Sequence, residues 1–91
     1  MAAPLDTSRP TLSAGCRWGG NPDARVLLIP EGAIRLQGTG EKILQLCDGR
    51  RTFRELLAQL EKEYSQGDPA RIREDASRFL EQLHAKRIVD Y

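Results

Sequence analysis

The sequence is poor in the residue types that carry most enzymatic chemistry. Its 91 residues hold one histidine and two cysteines, and aromatic residues make up 5% of the chain. His84 has no cysteine or second histidine at metal-ligand spacing, and it reads as a surface or boundary side chain. Cys16 and Cys47 lie far apart without a close C-x-x-C pairing, so they read as reduced thiols packing as small hydrophobes. No serine sits in a G-x-S-x-G setting, and Gly38-Thr39-Gly40-Glu41 is too short and wrongly followed to cradle phosphates. The acidic residues Glu61, Glu63, Glu74, Asp75 and Glu81 fall in mixed-charge segments, where i, i+4 pairing is the ordinary role. Catalytic residues, metal ligands and cofactor sites are therefore all read as none.

Charge of one sign is lacking too. Fourteen basic against thirteen acidic residues leave a net charge of +1, which does not point to nucleic acid. No run approaches the ~20 apolar residues of a membrane span, and the first ten residues lack the apolar stretch of a secretory signal. A soluble cytoplasmic protein is the expectation. At this length, with 40% hydrophobic residues, one small core is available.

Along the chain, the proline-bearing opening shows no periodicity, so residues 1–15 read as a flexible N-terminal arm and 16–91 as the domain. A first strand fits Cys16-Arg17-Trp18, ended by Gly19-Gly20-Asn21-Pro22-Asp23. A second fits Arg25 to Ile29, apolar on both faces and hence central. After a reversal at Pro30-Glu31-Gly32, Ala33 to Gln37 alternates, with Ile34 and Leu36 on one face, and reads as an edge strand.

Three helices follow. The first is capped by Thr39, buries Ile43, Leu46 and Cys47, and ends at Gly49. The second opens on the capping box Thr52-Phe53-Arg54-Glu55 and buries Phe53, Leu56, Leu57, Leu60 and Tyr64. The third starts at Asp68-Pro69, buries Ile72, Ala76, Phe79, Leu80 and Leu83, and runs to about Lys86. Ile88-Val89 returns as a short strand or as a packed tail. Strands followed by helices predict an α+β domain: a small antiparallel three-stranded sheet and three helices, in winged helix-turn-helix outline.

Two stripes carry binding chemistry. Arg50, Arg51 and Arg54 cluster at the start of the second helix, as a solvated turn or a weak phosphate contact. Arg71, Asp75, Arg78 and Gln82 share one flank of the third helix, as an intrahelical charge ladder or one wall of a groove.

Val26-Leu27-Leu28-Ile29-Pro30-Glu31-Gly32, then Leu44-Gln45-Leu46-Cys47-Asp48-Gly49-Arg50-Arg51-Thr52, then Asp75 with Phe79-Leu80 together resemble the PqqD family of pyrroloquinoline quinone (PQQ) biosynthesis. The resemblance spans roughly residues 16 to 90. It implies a RiPP recognition element: a non-catalytic peptide chaperone that holds the precursor peptide PqqA and presents it to the radical S-adenosylmethionine enzyme PqqE. It also implies where the peptide goes, by strand addition along Ala33, Ile34, Arg35, Leu36 and Gln37, in a groove completed by Arg71, Ile72, Asp75, Arg78 and Phe79. Where related chains often carry L-N-x-T-A, this one reads Leu36-Gln37-Gly38-Thr39-Gly40, a departure that leaves backbone pairing intact. A winged-helix DNA-binding regulator and a homodimer paired edge to edge stand as the other readings.

Overall fold

The computed structural model describes residues 3–21, 24–36, 38–64 and 66–91. Strands β1 (Thr11–Leu12), β2 (Arg17–Asn21), β3 (Ala24–Ile29) and β4 (Gly32–Arg35) precede helices α1 (Gly38–Gln45), α2 (Phe53–Glu63) and α3 (Pro69–Ala85). A last strand, β5 (Val89–Asp90), closes the chain. The fold is the expected α+β arrangement, an antiparallel sheet in the order β2-β3-β4 followed by three helices.

The apolar run in β3 occupies the central position, with Leu27 facing Trp18 on one side and Ile34 on the other. Leu27 is fully buried against the helices, whereas Val26 and Leu28 point to the opposite face and are half-buried. The strand β2 runs longer than the expected Cys16–Trp18, because Gly19 and Gly20 belong to it. A Cβ on Gly19 would lie 2.7 Å from Leu28 Cδ1, so glycine here lets a neighbouring leucine lie across the strand.

Helix α2 begins as its sequence demands. Thr52 Oγ1 accepts the Glu55 N–H at 3.2 Å, and the Glu55 carboxylate accepts the Thr52 N–H at 2.9 Å. These bonds from the Thr52 backbone and hydroxyl hold the Glu55 carboxyl below the usual carboxylate range. At α3 the Asp68 carboxylate accepts the Ala70 N–H at 3.0 Å, and Pro69 fills the first turn. The core joins Leu27, Leu44, Phe53, Leu56, Leu60 and Leu80, all nearly or wholly inaccessible, each worth roughly 1.5–3 kcal/mol of transfer free energy.

Four expectations meet a different arrangement. Thr39 is not a cap, because α1 already starts at Gly38. Leu46 and Cys47 are buried but follow α1, held by bonds from the Leu46 N–H and the Cys47 thiol to the Ile43 carbonyl. Tyr64 ends α2 as its C-cap and is 40% exposed, so the buried stripe stops at Leu60. The opening segment, expected to be a mobile arm, packs on the domain over residues 3–13. Thr11–Leu12 pairs antiparallel with Val89–Asp90, Pro4 and Pro10 are buried, and the Ser8 and Asp6 carbonyls accept the N–H groups of Phe53 and Arg54. Of the Ile88-Val89 tail, Val89 enters the short strand β5 and Ile88 is buried just ahead of it.

Candidate functional site

The sheet has two outer strands, β2 and β4, and the candidate edge is β4. It pairs with β3 from Val26↔Arg35 to Ile29↔Gly32, and among the described residues no strand pairs with its other side. Backbone directions alternate along an antiparallel strand, so two of its four residues turn both N–H and C=O outward. Ala33 and Arg35 are exposed, while Ile34 and Leu36 rest partly buried against the core. Gln37 lies outside the described residues.

The α3 residues chosen from the sequence divide into two groups. Phe79 and Ile72 are half-buried and pack on the core, Phe79 over Gly40 of α1 and Ile72 beside Gly67. Arg71, Asp75 and Arg78 are exposed and pair within the helix, Arg71 with Asp75 at 3.9 Å and Arg78 with Glu74 at 3.0 Å. Arg78 also borders a shallow polar depression with Arg73, Ser77 and Glu81, which turns it to the outward side of α3. The ladder reading therefore describes these charges well. Each exposed pair contributes about 0–1 kcal/mol.

A cavity of about 510 Å³ opens at the foot of the sheet, where β2 begins and β3 turns into β4. Its apolar lining includes Cys16, Ile29, Ile34 and Ile88. Lys86 and Arg87 border it from the end of α3, and Glu31 from the β3–β4 turn. Of the residues chosen from the sequence, Ile34 alone lines this cavity. Lys86 and Arg87 were missed because they follow the periodic part of α3, where side-chain spacing says nothing about direction. The departure from helical geometry at Arg87 was the only signal, and it is a backbone property.

The remaining candidates are engaged elsewhere. Asp48 accepts the N–H groups of Arg51 and Arg50 and pairs with the Arg51 side chain at 2.8 Å. Those backbone bonds, that of Arg51 foremost, hold the Asp48 carboxyl below its usual range. At the start of α2 the opening segment accepts the Phe53 and Arg54 amides and Arg9 donates to the Arg50 carbonyl, while the Arg50 and Arg54 residues of the basic cluster are exposed. His84 stacks on Tyr91 with ring centroids 4.4 Å apart. Burial, with Glu81 nearby, pushes the Tyr91 hydroxyl pKa up. The Cys47 thiol is pushed to about 12, chiefly by burial. Among the described residues no cluster of three or more His, Cys, Asp or Glu is placed to hold a metal ion, and no helix is long and apolar enough to cross a membrane.

Comparison with known proteins bears on what this edge and cavity serve. The chain is 38% identical over 88 residues to proteins of Pseudomonas paraeruginosa and Pseudomonas aeruginosa named PqqA binding protein, with 94% of each chain covered. Its fold superposes with a TM-score of 0.77, at 31% identity, on the solution NMR structure of the PqqD truncation of Methylobacterium extorquens PqqCD. That match covers 98% of this chain and 96% of the other, which is described as a functional and stand-alone RiPP recognition element. Residues 24–89 match the family described as Coenzyme PQQ synthesis protein D, and the chain belongs to the PqqD family.

Proposed function

We propose that this protein is a non-catalytic chaperone of PQQ biosynthesis that binds PqqA as an added strand on β4 and presents it to PqqE in the cytoplasm. The observation that carries the reading is the open β4 edge next to a part-apolar cavity. Two outward-facing residues offer about four backbone hydrogen bonds, each worth ~0.5–1.5 kcal/mol net. Ordering a flexible peptide opposes this by roughly 2–5 kcal/mol, so side-chain burial has to supply the remainder of micromolar binding. Ile34, Leu36 and Phe79 are the half-buried apolar residues available for it. The naming of the Pseudomonas relatives as PqqA binding proteins supports the choice of peptide. Presentation to PqqE rests on what membership of the family implies.

Proline scanning of β4 tests the strand model. Backbone donors alternate in direction, so of Ala33→Pro and Ile34→Pro one removes an outward N–H and the other an N–H given to β3. Both are titrated with labelled PqqA, with circular dichroism as the folding control. The outward variant is expected to stay folded and bind at least about tenfold more weakly, the equivalent of about 1.4 kcal/mol. Wild-type affinity in both folded variants would refute strand addition. Amide NMR of the peptide-loaded protein, before and after adding PqqE, tests presentation: a second set of shifts away from β4 is expected, and no change would refute it.

A further inference from the structure

We infer that the cavity at the foot of β4 is a subsite for one acidic side chain of the bound peptide, with Arg87 and Lys86 as its cationic wall. The inference rests on the strand-addition reading and adds to it a selectivity rule.

The backbone at Arg87 is the first observation. It has φ of 60°, the one non-glycine residue with positive φ among the described residues. It follows the Lys86 C-cap of α3, and the end of the helix closes in the manner that usually calls for glycine. The Ile88 N–H donates to the Leu83 carbonyl at 2.9 Å, and the Arg87 N–H to the His84 carbonyl at 3.0 Å. An arginine here gives up the conformational ease of glycine, and its position beside the cavity supplies a reason for doing so.

Charge pairing is the second. Arg71, Arg73, Arg78, Lys42 and Arg51 all have carboxylate partners. Lys86 and Arg87 have none among the described residues, a state they share with Arg9, Arg17, Arg25, Arg35, Arg50, Arg54 and Lys62, but these two border the cavity, whose wall also holds Glu31. Two cations against one carboxylate leave the wall net positive. The apolar lining of Ile29, Ile34 and Ile88 suits the methylenes of a glutamate or aspartate, and the exposed cation pair at its rim suits the head. Because Ile34 belongs to both β4 and the cavity, a peptide strand on that edge reaches the subsite at its Gly32 end. Specific acid recognition thus sits at the end of α3, separate from the internally paired Arg71 and Arg78.

The test uses labelled, C-terminally amidated PqqA, so that the only carboxylates are side chains. Each Asp and Glu of the peptide is replaced in turn by Asn or Gln. Every peptide is titrated by fluorescence anisotropy against the wild type, Arg87→Gly, Lys86→Gln and Glu31→Gln. Arg87→Gly is expected to melt no lower than the wild type, since glycine relieves the left-handed backbone, yet to bind the unmodified peptide about tenfold more weakly. One peptide carboxylate should lose about tenfold on neutralisation with the wild type and less than about twofold with Arg87→Gly. Lys86→Gln should weaken binding in the same pattern, and Glu31→Gln should tighten it. Unchanged binding by Arg87→Gly, or equal losses for every carboxylate in wild type and variant, would overturn the subsite while leaving strand addition standing. Absence of any binding by the wild type refutes strand addition itself and is seen before any variant is compared.

Discussion

Removing residues 1–9 tests whether the opening segment is structural. The first turn of α2 has donors that its own helix cannot satisfy, and each has a different acceptor. Phe53 N–H goes to the Ser8 carbonyl at 2.7 Å, Arg54 N–H to the Asp6 carbonyl at 3.2 Å, and Glu55 N–H to Thr52 Oγ1. Truncation takes away the first two acceptors, at about 0.5–1.5 kcal/mol each. It also takes away the exposed Asp6–Arg73 pair, worth about 0–1 kcal/mol, and the buried Pro4. Chain entropy regained by the freed segment offsets part of this, leaving a net loss of about 2 kcal/mol and a fall in Tm of about 8–16 °C. Thr52→Ala should cost about 0.5 kcal/mol in the full chain, where the carbonyls of Ser8 and Asp6 still hold the turn. In the truncated chain the same change should cost about 1.5 kcal/mol, because only the threonine then holds that turn against fraying. Urea unfolding followed by circular dichroism gives all four free energies. Additivity within about 0.3 kcal/mol, or a truncated protein melting at the wild-type temperature, would refute the shared-capping argument.

Three further outcomes follow from local chemistry. Asp48 and Glu55 have pKa values lowered by folding, so their contribution is complete above the ordinary carboxylate values of about 4 and is lost as pH falls through the still lower folded values. Urea midpoints should therefore decline from about pH 5 downward, more shallowly in Glu55→Gln; parallel acid limbs would contradict this. With its pKa at about 12, Cys47 stays a buried neutral thiol near pH 8, so a thiol reagent should label Cys16 quickly and Cys47 only on unfolding. Equal labelling rates in the native protein would be inconsistent with that burial. Gly49 has φ of +76°, and a Cβ there would lie 3.2 Å from Thr11 Cβ, so Gly49→Ala should lose about 1–2 kcal/mol in thermal or urea unfolding.

Legibility in the sequence followed the range of the interaction. The α2 capping box and the Asp68-Pro69 start of α3 are local bonds between residues two or three apart, and both stand as read. The central β3 and the edge β4 were legible because burial on two faces or one leaves a periodic trace. Pairing of β1 with β5 was not, since two-residue strands are too short to show a period and their partners come from opposite ends of the chain. Gly19-Gly20 carried a turn signal that the neighbouring Leu28 overrides. Of the residues expected to take the peptide, Ile34 borders the cavity, while Lys86 and Arg87 reach it from a helix terminus whose geometry no spacing rule encodes.

The two sheets manage their free backbone groups in opposite ways. At one end of the molecule β1 covers β5, and the opening segment supplies carbonyls to the α2 amides, so polar groups there are consumed internally. The outer side of β4 is left open among the described residues, although an open edge invites unwanted pairing. That edge is four residues long, and the exposed Arg35 marks its end, both of which discourage another copy from adding as a long flat strand. A short edge also limits how much affinity backbone pairing can deliver to a legitimate peptide. Selectivity has to come from whatever lies past the strand, and at the Gly32 end that is the cavity bordered by Lys86 and Arg87. Lengthening the edge would therefore raise affinity for any extended chain, whereas changing Arg87 should alter which chain is preferred. On the proposed reading, a weak backbone grip is thus joined to a charged end-pocket, the first giving reversible hold and the second giving preference.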